Sequence, residues 1–170
     1  MGLQLWADDF QTSQQRQALF VVRKQFEQFF MEVPTETLND IADSMEAGFK
    51  CFIHRETLEV VTYLDPDRYP DLDPKDWKEE IGKVKKNKKY FIEIEDMDSR
   101  ESFRVMAEFA ESLENNTTKI KLLTALEGHK PFANFKHQIE NAGEFRELWF
   151  AFRKEKNIEW IQNQLQTESL

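Results

Sequence analysis

Cysteine is nearly absent from this chain: Cys51 is the only one in 170 residues. A single thiol closes no intrachain disulfide, which excludes a disulfide scaffold and suits a reducing cytosol. Glycine and proline are scarce as well, five of each, so the chain is neither collagen-like nor dominated by linkers. No run of 18 apolar residues occurs, and nothing in the sequence reads as a membrane-spanning helix. The stretch from Met1 to Asp9 has no basic residue and meets two aspartates before any apolar run could form. It therefore does not read as a secretory signal, and a cytoplasmic protein is expected. Cations are outnumbered, 23 Lys and Arg against 32 Asp and Glu, for a net charge of −9. Unspecific affinity for nucleic acid comes largely from cations neutralising phosphates, so a general nucleic-acid binder is disfavoured.

Large rings are abundant. Fifteen Phe and four Trp are too much apolar surface to leave in water, so the chain folds around a core. In residues 1–34, Leu19, Val22, Phe26, Phe29 and Val33 recur at helical spacing until Pro34, which predicts an N-terminal helical extension. Such a helix is marginal alone and needs a surface, its own domain or a second copy of the chain. A second helix follows, capped by Thr35 or Thr37, with Leu38, Ile41, Ala42 and Met45 inward and Gly48 as its stop.

Two β-like runs, Lys50 to His54 and Val60 to Leu64, flank a short polar loop and read as an antiparallel hairpin. Asp65 to Asp76 holds three prolines and five aspartates. Its carboxylates mimic a calcium loop, but Pro70 stands where the sharp turn needs glycine, and the closing glutamate is missing, so a solvated loop is expected. A helix of about Pro74 to Lys86 leads to a third strand, Lys89 to Glu95, with Tyr90, Ile92 and Ile94 alternating against Phe91 and Glu93.

The remainder is helical. Asp98 and Glu101 resemble a capping box, followed by a face of Phe103, Met106, Ala110 and Leu113. Ile120, Leu123 and Leu126 mark the next helix, which ends at Gly128. Pro131 opens another, with Phe132, Phe135 and Ile139 in line. Phe145, Leu148, Trp149 and Phe152 begin the last, and Ile158, Ile161 and Leu165 extend it beyond a polar stretch. The expected fold is α+β: a small three-stranded antiparallel sheet with a mostly helical C-terminal half, helices packed on one face. Residues 1–34 are the extension, 35–166 a single domain and 167–170 a disordered tail.

Several of these pieces occur together in a known pattern: Leu38-x-x-Ile41-Ala42, Cys51-Phe52-Ile53-His54, Asp98-Ser99-Arg100, Ala125-Leu126-Glu127-Gly128, Pro131-Phe132-x-x-Phe135-Lys136 and Trp149-Phe150-x-Phe152. Over about residues 36–165 the chain resembles the uncharacterised bacterial protein family zero-one-five-eight. The resemblance implies a small soluble α+β protein and carries over no activity, so no catalytic residue is transferred. Leu58 stands in the hairpin turn where glycine is usual in that family, which implies a wider turn. Residues 1–34 fall outside the resemblance.

No local motif for hydrolysis, nucleotide binding or metal ligation is present: no Gly-x-Ser-x-Gly, P-loop, dinucleotide fingerprint or His-Glu-x-x-His. His129 and His137 are eight residues apart across Pro131, not the four that set two ligands on one helical face. No cofactor is expected. Cys51, in the apolar run Phe49 to Ile53, reads as a buried inert thiol. Candidate binding residues are of two kinds. Lys85, Lys86, Lys88 and Lys89, with Lys83, form the one dense basic cluster and read first as a solvated helix end. Arg100, Lys136 and Arg153 are the cations beside aromatic helices, reading as an ion-pair network with Glu127 or as an anion pocket. Phe150, left to one side by an inward face of Leu148, Trp149 and Phe152, is expected exposed and available to a partner. The function read from this pattern is a non-catalytic cytosolic interaction or regulatory module, with a protein partner or self-association through the N-terminal helix. The alternatives are an RNA- or phosphate-ligand-binding protein using the lysine segment with Arg100 and Lys136, and an enzyme whose site assembles only in the fold.

Overall fold

The computed structural model describes residues 33–65, 69, 71, 73–114 and 117–168; the predicted N-terminal helix lies outside them. Helix α1 spans Thr35–Glu46, taking in Thr35 as its first residue, and buries Leu38, Ile41 and Ala42. Gly48 ends it at φ +89°, beside the Tyr69 hydroxyl where a Cβ would collide. Strand β1, Phe49–His54, then turns into β2, Val60–Leu64. The turn is closed by the Leu58 N–H donating to the His54 carbonyl, with Leu58 itself at φ +57°. That left-handed conformation is one that glycine adopts without a Cβ penalty. His54 Nδ1 accepts the N–H groups of Glu56 and Thr57, each at 3.2 Å, and so closes the start of the loop.

A single 3-10 turn, Pro74–Trp77, capped by Asp73, runs into α2, Lys78–Lys86. A second 3-10 turn at Lys88–Tyr90 precedes β3, Phe91–Ile94. The strand is thus shorter than its alternating pattern suggests, and Tyr90 is exposed in the turn rather than inward. The sheet order is β2-β1-β3, antiparallel throughout. Its two faces are both used. Cys51, Ile53, Ile92 and Ile94 are buried on the α1 side, where the Cys51 thiol donates to the Ile41 carbonyl. Phe52, Val61 and Phe91 bury against Val84 of α2 on the other. The α+β architecture is as expected, and α2, the helix that interrupts the sheet, covers the face opposite α1. Phe91 and Phe52 are too large to leave bare, and the connection from β2 to β3 supplies their cover.

Helices α3 (Ser99–Ser112), α4 (Thr117–Glu127), α5 (Pro131–Glu140) and α6 (Glu144–Glu168) complete the domain. Asp98 caps α3, its carboxylate accepting the Glu101 N–H at 2.8 Å, and Pro131 begins α5, both as the sequence indicates. Their core holds Val105, Met106, Phe109, Leu122, Phe135, Ile139 and Trp149. Trp149 sits edge-on to both Phe109 and Phe135, ring centroids 5.2 and 4.9 Å away. Four predicted core residues face out instead: Phe103, Ile120, Phe132 and Leu148 are exposed, and Val105 and Leu122 take inward positions.

At 25 residues, α6 is long enough, about 37 Å at 1.5 Å per residue, to serve two cores. Its first half packs Trp149 into the helical core and its second half buries Ile161. The polar stretch between them crosses α1, where Arg153 pairs with Glu46 at 3.2 Å and Lys154 with Asp43 at 2.7 Å. Thr167 and Glu168, expected in a disordered tail, are helical, and Glu168 receives the Arg55 guanidinium on both its carboxylate and its carbonyl.

Candidate functional site

A cleft of about 640 Å³ opens where the end of α1 and the start of α3 meet α5 and α6. The helical periods of three sequence-distant segments build it. From α5, Phe132, Lys136 and Glu140 recur every four residues along one stripe above buried Phe135 and Ile139; from α6 come Trp149, Phe150 and Arg153; from α3, Ser102, Val105 and Met106. Rings and aliphatic groups form the floor. The rim carries Glu46, Asp96, Glu140, Lys136 and Arg153, together with the Tyr69 hydroxyl.

Two carboxylates of this rim are engaged by arginines. Glu46 and Arg153 are 3.2 Å apart, and Glu140 holds Arg146 at 2.9 Å. Hydrogen bonds that the Arg146 guanidinium donates to Glu140 and Glu147 hold it in its charged form. That guanidinium lies over Phe150, 4.6 Å from the ring centroid, a cation–π contact. Ser102 donates its hydroxyl to the Met97 carbonyl at 3.4 Å, and no histidine or cysteine contributes to the lining. Among the described residues no group of three or more His, Cys, Asp or Glu is placed to hold a metal ion.

Three of the candidates read from the sequence, Lys136, Phe150 and Arg153, come together in this cleft. Arg100 does not; it is exposed on the first turn of α3 and away from the lining. Neither expected arrangement of the cations forms. Glu127 stays outside, Arg153 finds Glu46 instead, and Lys136 shares the cleft with carboxylates rather than forming a pocket of cations. Phe150 is half-buried against the helical core and under Arg146, whereas Leu148 is the exposed residue of that turn. Trp149 stays inward as expected, and the flank packed beside it is Phe150 rather than Leu148. Sequence reading missed Glu46 and Asp96 as parts of the site. Nothing local marks them; they enter because α1 and the β3–α3 connection end at the same place.

The lysine segment lies elsewhere. Lys83 is engaged with Glu59, Lys89 lies 4.6 Å over the Tyr90 ring, and Lys85, Lys86 and Lys88 are exposed at the end of α2 and the turn after it. None of them lines the cleft. Cys51 is fully buried in the sheet, and burial, with the charge of Asp96 adding to it, pushes its thiol up to about 12. A thiol held so high carries almost no thiolate at neutral pH and is not a nucleophile.

A three-stranded sheet carrying a four-helix C-terminal half and an aromatic cleft defines this as a small α+β domain. The sequence pattern of the uncharacterised protein family UPF0158 matches residues 35–170, and the chain belongs to that family. Comparison with curated proteins and with solved structures finds no match. No helix among the described residues is long and apolar enough to cross a membrane.

Proposed function

We propose that the chain is a non-catalytic interaction or regulatory module of a bacterial cytosol, and that it receives a protein partner in the α5–α6 cleft. One observation carries this reading: Phe132, Phe150, Lys136 and Arg153 line a single open cleft, on whose rim Glu46 is paired with Arg153 and Glu140 with Arg146. Apolar floor with a polar rim is the ordinary anatomy of a recognition surface. Catalysis instead calls for a nucleophile within reach of a base, or two carboxylates free to differ in proton affinity. Ser102 is spent on a backbone carbonyl, and Glu46 and Glu140 are spent on arginines.

The test compares proteins co-purifying with the tagged full-length chain and with its Phe132→Ser and Lys136→Glu variants. A partner recovered with the parent and lost with both variants, each shown to be folded, supports the reading. A partner retained by both variants counts against the cleft. Self-association through the apolar stripe of residues 19–33 is part of the same proposal. Deleting residues 1–30 and measuring mass in solution tests it, and an unchanged oligomeric state removes it.

A further inference from the structure

The two edges of the sheet are treated differently. The His54 N–H donates to the Glu59 carbonyl at 2.9 Å, which sets the phase of the β1–β2 ladder: His54–Glu59, Phe52–Val61 and Lys50–Tyr63 are its hydrogen-bonded pairs. The intervening residues of β2, Val60, Thr62 and Leu64, therefore direct their N–H and C=O groups away from β1. None of these groups has a hydrogen-bond partner among the described residues. By the same alternation, Phe91, Glu93 and Glu95 point outward from β3. That edge is closed at both ends. The Phe91 N–H donates to the Lys88 carbonyl, and both backbone groups of Glu95 are taken by Gln164, with Trp160 also donating to its carbonyl. Glu93 adds an exposed charge between them.

Open edges are normally protected by charge, proline, glycine or a bulge. The β2 edge reads Val-Val-Thr-Tyr-Leu and has none of these. It is also complementary to itself. Turned antiparallel about Thr62, two copies set Val61 opposite Tyr63 on one face, and Val60 opposite Leu64 and Thr62 opposite Thr62 on the other. These are the aromatic–β-branched, aliphatic and Thr–Thr pairs that stabilise antiparallel sheets. The phase agrees as well. All three outward residues fall in hydrogen-bonded pairs in this register, giving on the order of six hydrogen bonds between the copies.

We propose that the outer edge of β2 is a self-association surface: two copies of this chain pair β2 against β2 across a two-fold axis at Thr62, joining their sheets into one. The partner is a second copy rather than an arbitrary extended peptide, because the strand meets its own image in side-chain pairing on both faces. The surface is separate from the α5–α6 cleft.

Sedimentation equilibrium and amide hydrogen exchange on the full-length chain, over a concentration series, test the proposal. The expected result is a reversible dimer in which the Val60, Thr62 and Leu64 amides gain protection as the dimer forms. Thr62→Pro removes no intrachain hydrogen bond, since that N–H faces outward, and is expected to weaken dimerisation by about tenfold or more. Thr62→Cys is expected to cross-link into a dimer under mild oxidation, because a hydrogen-bonded antiparallel pair sets its Cα atoms ~5.5 Å apart, while the parent, with Cys51 buried, does not. A chain that stays monomeric throughout the series overturns the proposal. So does a dimer whose Thr62 amide remains unprotected, a result that also decides the matter should Thr62→Pro fail to fold.

Discussion

The carboxamide of Gln164 pairs with both backbone groups of Glu95, its Oε1 accepting the N–H at 2.9 Å and its Nε2 donating to the C=O at 3.0 Å. A side chain of α6 thus acts as one more residue of strand at the end of β3. Trp160 donates its indole N–H to the same carbonyl at 2.8 Å, so the last helix is fastened to the sheet by directional bonds as well as by burial of Ile161.

Replacing Gln164 with Ala leaves the Glu95 N–H without its partner, and a loss of about 1–2 kcal/mol is expected in urea denaturation. Gln164→Glu is expected to lose at least as much, because a carboxylate accepts from the N–H but repels the carbonyl. Equal stability of all three proteins would show that water replaces the clamp.

Cys51 makes stability depend on alkaline pH. Burial, and secondarily the charge of Asp96, raise its thiol from 9.0 to about 12 in the folded protein. The folded state therefore holds this proton more tightly than the unfolded state. The contribution is fully present below pH 9 and declines as pH rises toward 12. Denaturation midpoints measured across that range should fall, and Cys51→Ala should flatten the part of the decline due to this thiol. An aromatic disulfide reagent should modify the native chain only at the rate of unfolding.

Leu58 occupies a left-handed backbone conformation at φ +57°, which costs a residue with a Cβ roughly 1–2 kcal/mol. Leu58→Gly relieves that strain and loses the packing of a half-buried side chain. The net expectation is a gain of about 0.5–1 kcal/mol in chemical denaturation. A destabilised variant would mean that the Leu58 side chain matters more to the hairpin than the backbone does.

His54 presents an acceptor to two N–H groups of the same loop. His54→Phe keeps a ring beside Tyr90 and Phe91 and removes only the acceptor. A loss of about 1–3 kcal/mol is expected, with the Glu56 and Thr57 amides exchanging faster.

The helical core separates two residues that both read as inward in the sequence. Phe135→Ala removes a side chain 2% exposed that packs on Trp149, and about 3–5 kcal/mol should be lost. Leu148→Ser alters a side chain 53% exposed and should stay within about 0.5 kcal/mol of the parent. Thermal or urea unfolding of the pair checks both.

The sequence by itself determined the kind and order of the elements from Thr35 onward. The α1–hairpin–α2–β3 series, the Asp98 cap, the Pro131 start and the burial of Cys51 all rest on local causes: a repeat of 3.6 or 2 residues, a capping carboxylate, a fixed proline φ. The tertiary structure decided which flank of each broad apolar stripe turned inward. A turn of ~100° per residue sets residues two apart on opposite flanks of a broad stripe, so Phe103 or Val105, Ile120 or Leu122, Leu148 or Phe150 could each have met the core, and the neighbouring helices chose the second every time. It also decided the cleft. Lys136, Phe150 and Arg153 were visible as residues, but Glu46 and Asp96 joined them only because packing brought the end of one helix and the start of another to the same point, a distance in space that no spacing along the chain encodes.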